Sequence, residues 1–115
     1  MLQALSEFYA TVTRKSIVPP PDAAAQVLDW LRSFPCAAVS ASAVQTALAE
    51  AVAGHASYWD ALLIATAGEA GCATILTEDL TDGADLAGVR IHNPFSVSGG
   101  LTAEARNLLG LPAAP

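Results

Sequence analysis

The sequence is poor in positive charge and in charged residues generally. Its 115 residues include five Lys and Arg against eleven Asp and Glu, a formal net charge of −6, and only 14% are charged. This balance argues against a nucleic-acid-binding protein that uses a broad basic patch. It leaves open a nuclease whose metal ions supply the local positive charge. It also suits a protein held by a basic partner.

Long apolar runs and internal repeats are absent as well. Apolar residues make up 53% of the chain, yet none of their runs reaches the roughly 18 residues that a membrane-spanning helix needs. The first residues do not form a basic and apolar leader, so we expect no secretion signal. A chain of this length predicts a single domain with a real core.

Cysteine and histidine are too scarce for a zinc site. The chain has two cysteines, Cys36 and Cys72, both in apolar surroundings, and neither a CxxC motif nor a histidine cluster. We therefore expect two buried free thiols in a cytoplasmic protein rather than a disulfide or a metal pair.

Residues 57–83 (SYWDALLIATAGEAGCATILTEDLTDG) carry the strongest local pattern. Ser57 is a good helix N-cap, with Asp60 three residues later, where a capping-box acid belongs. Residues 61–70 are nearly all apolar, which predicts a helix buried on most of its surface. Gly71 can end it in the left-handed conformation. Residues 73–76 then read as a short parallel strand covered on both faces.

The lengths of this helix and strand bring their acidic residues to one edge. A helix of about 13 residues spans roughly 20 Å, and the strand returns roughly 17 Å. Asp60 should therefore meet Asp79 and Asp82, which follow the strand, at the carboxyl end of a parallel sheet, where open α/β folds bind ligands. All-oxygen ligands predict a hard divalent ion, Mg²⁺ or Mn²⁺.

The first 40 residues predict two helices and a strand. Residues 1–15 have an apolar stripe at helical spacing, and Glu7 lies almost opposite it, where the pattern alone indicates a solvated glutamate. After a triple proline, Asp22 is expected to cap a helix over 23–33. Residues 36–40 are a short apolar strand candidate.

The remaining elements complete an α/β order. We predict a helix over 42–53 that Gly54 ends, with His55 at a helix end or loop rather than as a ligand. Residues 84–88 are expected to form a loop, and 89–92 a last strand. A short helix within 101–111, capped by Thr102, lies in an otherwise flexible tail over 96–115. The order α-α-β-α-α-β-β-α predicts a small parallel sheet flanked by helices.

Several segments together resemble the PIN-domain family, metal-dependent ribonucleases that include the toxins of VapC-type toxin–antitoxin pairs. Residues 5–9 (LSEFY) resemble the helix with the family's second acid, and 58–63 (YWDALL) the segment with the third. Residues 76–83 (LTEDLTDG) resemble the strand end with the last acids, and 89–95 (VRIHNPF) the closing strand of one bacterial branch. The resemblance covers about residues 2–95, which we expect to form a PIN-like domain.

The resemblance implies a metal site that lacks one of the family's metal ligands. Glu7, Asp60 and Asp79 would hold Mg²⁺ or Mn²⁺, with Asp82 as a further acid, and Glu78 is interpreted as a solvated turn residue. The family begins with a central strand that ends in a catalytic Asp. This chain has no Asp before Asp22, so that strand and that metal ligand are expected to be absent.

Three hypotheses about function follow. The first is a PIN-like metal-dependent endoribonuclease, a toxin that cuts RNA and binds a cognate antitoxin. The second is a truncated, catalytically impaired module that acts in protein–protein interaction, by antitoxin binding or self-association. Homo-oligomers are expected, because a sheet that lacks its middle strand exposes apolar and hydrogen-bonding edges. The third is a generic α/β domain whose acids only solvate a strand edge.

Overall fold

The computed structural model describes residues 1–114, and over that range the chain forms five helices and three short strands. It divides into two compact units, Met1–Ser40 and Ala41–Pro115. The elements, in chain order, are α1 (Leu2–Arg14), α2 (Pro20–Ser33), α3 (Ala41–Val52), α4 (Tyr58–Glu69), β1 (Thr74–Leu76), β2 (Asp85–Leu86), β3 (Val89–His92) and α5 (Ala103–Leu108). No described helix is both long enough and apolar enough to cross a membrane.

The first unit is a hairpin of α1 and α2. The short connector predicts antiparallel neighbours, and the backbone N–H of Leu2 at the start of α1 donates to the carbonyl of Ala37, beyond the end of α2, at 3.0 Å. The rings of Phe8 and Trp30 join the helices edge to face, with centroids 4.8 Å apart. The apolar stripe of the first helix is therefore used, in part, to pack against the second.

Two predictions about this unit are wrong. Residues 36–40 do not form a strand, and the Ala37 carbonyl bonds to the start of α1 instead of a neighbouring strand. Asp22 does not cap α2 but lies in its first turn, because the helix already begins at Pro20 after the N-cap Pro19. Prolines are tolerated in a first turn, where the missing N–H has no partner to lose.

The second unit begins with the packed pair α3 and α4. The side chains of Ala43, Ala47, Ala61 and Ala65 are buried at 0–4% exposure, so small residues let the two helices approach closely. Ser57 caps α4 as predicted, its hydroxyl accepting the Asp60 N–H at 3.2 Å. Helices over 1–15, 42–53 and 57–70 are likewise confirmed to within a few residues.

The sheet is mixed rather than purely parallel. Its strand order is β1-β3-β2, with β1 parallel and β2 antiparallel to the central β3. The strand predicted over 73–76 exists as Thr74–Leu76, but its residues are half-buried rather than covered on both faces. The predicted strand Val89–His92 is confirmed. The prediction of an α/β fold is thus confirmed, whereas the prediction of a parallel sheet is wrong.

The segment expected to be the loop 84–88 is half of a hairpin. β2 and β3 are joined by Ala87 and Gly88 alone, at φ values of +50° and +76°. Two consecutive positive φ values define a turn whose twist matches that of paired strands. A sequence search for Asn-Gly or Asp-Gly misses it, because alanine rarely occupies the first position.

The core of the second unit lies between α4 and the sheet. Ile64, Leu86, Val89 and Ile91 form its buried cluster. Downstream, Thr102 caps α5 as predicted, accepting the Ala105 N–H at 3.0 Å. A domain over 1–95 with a flexible tail over 96–115 stays a prediction, as does the likeness to a PIN fold.

The cysteines are free, as predicted, but not buried. Cys36 is half-buried and Cys72 is exposed. Cys72 follows Gly71, whose φ of +92° turns the chain out of α4. Its neighbours in the sequence are apolar, but Cys72 lies in a turn at the surface and is therefore exposed.

Candidate functional site

The second unit contains an open cavity of about 390 Å³ beside the sheet. Its walls combine side chains from the turn after β1, from β2 and β3, and from the residues that follow α3. They are His55, Asp79, Leu80, Thr81, Ala84, Asp85, Leu86 and Ile91. The volume lies within the range of about 300–1,000 Å³ that is typical of small-molecule sites.

Two carboxylates lie at this cavity without any ion pair or side-chain hydrogen bond among the described residues. Asp79 follows β1, where its backbone N–H donates to Thr77 Oγ1 at 3.1 Å. Asp85 is paired in register with Arg90 across β2 and β3. The Arg90 guanidinium, however, bonds to Glu104 at 3.2–3.3 Å. Both aspartates are exposed, so water can satisfy their carboxylate oxygens.

His55 is held at the cavity by Glu50. The helix α3 ends in a Schellman motif, in which the His55 N–H donates to the Glu50 carbonyl and the Gly54 N–H to the Ala51 carbonyl, both at 3.1 Å. Gly54 supplies the required left-handed φ of +78°. The reversal places the His55 Nδ1 2.7 Å from Glu50 Oε2. The histidine ring thus has a defined orientation although its side chain is 59% exposed.

A second polar cluster surrounds His92, which is 5% exposed. Its Nδ1 lies 3.3 Å from Asp82 Oδ1 and 3.2 Å from Glu104 Oε2, and its Nε2 lies 2.9 Å from the Thr102 hydroxyl. Asp82 Oδ1 also accepts the Asn93 N–H at 2.9 Å. The cluster joins the turn before β2, the end of β3 and the start of α5.

The four acids predicted to form the site have different environments. Glu7 belongs to the first unit, on α1, where it is exposed and accepts a hydrogen bond from Gln3 Nε2 at 3.2 Å. Asp60 is half-buried in the first turn of α4. Asp79 lines the cavity, whereas Asp82 is engaged by Asn93 and lies beside His92.

The described residues do not fit a metal ion as placed. Across 1–114, no three His, Cys, Asp or Glu side chains come together in an arrangement that would hold one. The oxygen of Asp82 nearest His92 is already an acceptor for a backbone N–H. A metal site of Glu7, Asp60, Asp79 and Asp82 stays a prediction.

Sequence patterns missed His55, Glu50, Asp85 and His92 as members of polar sites. The pairing of His55 with Glu50 could have been predicted from Gly54, which ends a helix. Such a glycine brings the residue directly after it close to the residue four positions before it. No comparable signal exists for Asp85 or His92, because their neighbours come from distant parts of the chain. No known family model, curated protein or solved structure matches this chain.

Proposed function

We propose that the protein is a protein–protein interaction module that associates with a second copy of itself through the α1–α2 hairpin. The observation that carries this proposal is that α1, although amphipathic, has no buried residue, and α2 has only Ala23. Large apolar side chains of this unit remain exposed, among them Leu28 at 50%, Leu31 at 43% and Phe34 at 62%.

Two helices alone cannot enclose a core. A unit of 40 residues has too little interior to bury its apolar side chains without a disulfide, a metal or a partner. Two such hairpins can bury them together as a four-helix bundle, in which each apolar stripe faces the others. The side chains of Leu28 and Leu31, one turn apart on α2, supply an apolar stripe of the kind that such packing uses.

The charges of the hairpin suit a second copy. Residues 1–40 contain three acids and three bases, so the whole net charge of −6 belongs to the second unit. A hairpin without net charge adds no repulsion of its own when two copies meet. The acidic second unit supports the other interaction expected of such a module, binding of a basic partner such as an antitoxin.

Sedimentation equilibrium of the full chain tests the proposal. We expect a mass of twice 11.7 kDa that falls towards 11.7 kDa on dilution. The double substitution Leu28→Ser and Leu31→Ser should shift the chain to monomer. Leu108→Ser with Leu109→Ser removes two leucines of similar exposure from the second unit and should leave association unchanged. A monomer at every concentration contradicts the proposal.

A metal-dependent endoribonuclease is the second candidate function. It is supported by the resemblance described above and by Asp79, whose carboxylate lines the cavity and has no ion-pair or hydrogen-bond partner within residues 1–114. Thermal unfolding during a Mn²⁺ titration tests it, on the protein and on Asp60→Ala. Saturable stabilisation that Asp60→Ala abolishes supports this candidate and justifies RNA-cleavage assays. If neither protein binds Mn²⁺ above background, the result favours the third hypothesis, in which the acidic residues only solvate a strand edge.

A further inference from the structure

We propose that the outer edge of β1 binds an extended, positively charged segment of another protein, which adds to the sheet as a further strand. The backbone groups of Thr74 and Leu76 pair with this segment, and Glu78 and Asp79 attract its basic side chains. The edge lies in the second unit and shares no residue with the hairpin. The proposal and self-association through the hairpin can therefore fail independently.

The strand β1 has a neighbour on one side only. The sheet order β1-β3-β2 puts it at an outer edge. Toward β3, the Ala73 carbonyl accepts the Arg90 N–H at 2.9 Å, and the Thr77 N–H donates to the His92 carbonyl at 3.0 Å. Backbone groups point alternately to the two sides of a strand, so those of residues 74 and 76 point away from β3.

The free edge calls for an extended backbone rather than a small ligand. The N–H and C=O groups of Thr74 and Leu76 have no backbone partner within residues 1–114. The two residues lie roughly 7 Å apart along the strand, and each presents one donor and one acceptor. Another extended chain offers acceptors and donors at the same spacing, which is the basis of peptide recognition by strand addition.

The edge also lacks the features that keep other chains away from natural edge strands. Such strands are protected by lysine, proline or a bulge. Residues 70–77 (AGCATILT) contain no charged residue and no proline, and the pairing of β1 with β3 runs through Thr74–Leu76 without a bulge. The three residues of β1 are only half-buried, so an added strand covers apolar surface that is now in contact with water.

The charge beside the edge selects a basic partner. Residues 70–89 contain four acids and no base, and the exposed Glu78 and Asp79 follow directly after Thr77. A strand added in either direction brings one of its ends close to these two acids. A second copy of this edge would instead bring a unit of net charge −6 against another of the same charge, which opposes association.

Hydrogen exchange of the full chain, measured by NMR, tests the proposal with the blocked peptide Lys-Thr-Val-Thr-Val-Thr-Lys. At saturation, exchange of the Thr74 and Leu76 amides should slow about tenfold or more, because both become hydrogen-bonded. The Ile75 amide, which points to β3, should change little. Equal slowing of all three amides would mean general stabilisation and overturn the proposal. Protection of Thr74 and Leu76 without peptide, rising with protein concentration, would assign the edge to a second copy and also overturn it.

Two control peptides separate backbone pairing from other attraction. The lysine peptide with methyl groups on its inner backbone nitrogens keeps its side chains and charge but loses its donors, and we expect no saturable binding. The peptide Glu-Thr-Val-Thr-Val-Thr-Glu keeps its donors and should bind at least about tenfold more weakly. Equal binding of the methylated peptide would show that no strand is added and contradict the proposal.

A proline at the edge removes a donor that β3 does not use. Thr74→Pro deletes an N–H that points away from β3, where proline is tolerated in an edge strand. It should weaken binding of the lysine peptide about tenfold, and urea denaturation checks that the variant is folded. Unchanged affinity in the folded variant would contradict pairing at this edge.

A charge reversal tests the edge without altering its backbone. Glu78→Lys with Asp79→Lys changes two exposed side chains and should reverse the preference between the lysine and the glutamate peptide. Glu7→Lys with Asp29→Lys makes the same change of charge in the first unit and should leave the preference as it is. An equal effect of both double variants would show general attraction of cations and overturn the assignment to this edge.

Discussion

Gly68 of α4 lies so close to Val89 of β3 that a methyl group at position 68 would be 3.0 Å from Val89 Cγ2 and 3.4 Å from the Ala87 carbonyl oxygen. Val89 is 0% exposed and belongs to the core cluster. The glycine therefore sets the distance between the helix and the central strand, and with it the position of the hairpin that carries Asp85.

We expect Gly68→Ala to lower the free energy of unfolding by about 1 kcal/mol, measured by urea denaturation. Overpacking a core costs about 1–3 kcal/mol, and the better helix propensity of alanine returns about 1 kcal/mol. In a Val89→Ala background, where the clashing methyl group is gone, the same substitution should be neutral or stabilising. A destabilisation of equal size in both backgrounds would show that Val89 is not the cause.

We expect the Asp82 carboxylate to stabilise the folded protein even when no metal ion is present. Asp82→Ala leaves the Asn93 N–H without its acceptor and His92 without one of its two carboxylates, which costs about 1–2 kcal/mol. Urea denaturation in the presence of EDTA measures this. Asp82→Asn keeps an acceptor oxygen and should cost less, and Glu78→Ala, an exposed neighbouring acid, should cost almost nothing. Wild-type stability for Asp82→Ala would contradict this role.

Thr102 has two tasks, as the N-cap of α5 and as the partner of His92 Nε2 at 2.9 Å. Removing the hydroxyl in Thr102→Ala should cost about 2 kcal/mol, more than the roughly 1 kcal/mol of a simple cap such as Ser57→Ala. Thr102→Ser restores the hydroxyl and should recover most of the loss. Equal costs for Thr102→Ala and Ser57→Ala would show that the bond to His92 adds nothing.

Ala87 is a place where the chain can be stabilised. Its φ of +50° strains an alanine side chain, whereas Asn accepts this conformation and is favoured in such two-residue turns. Ala87→Asn should therefore raise the free energy of unfolding by about 0.5–1 kcal/mol, because the left-handed conformation costs most residues roughly 1–2 kcal/mol and Asn less. Ala70→Asn, at an exposed position with φ of −78°, provides the control and should bring no gain. Destabilisation by Ala87→Asn would mean that the turn is not strained.

Features that depend on neighbours within a few residues followed from the sequence. The caps Ser57 and Thr102 and the left-handed Gly71 were all predicted and are present. Each requires only a side-chain oxygen near the next turn or a missing Cβ. These requirements are local, so the order of residues is enough to meet them.

Features that depend on distant contacts were not predictable in the same way. Residues 36–40 have the composition of a strand, but the Ala37 carbonyl accepts a hydrogen bond from the start of α1. The sheet is mixed because β2 pairs with β3 through an unusual turn. Likewise, Asp79, Asp85 and His55 line one cavity, while Asp82 lies beside His92. Which acids share a site follows from how turns, strands and helix ends pack in three dimensions, and no periodicity along the chain encodes it.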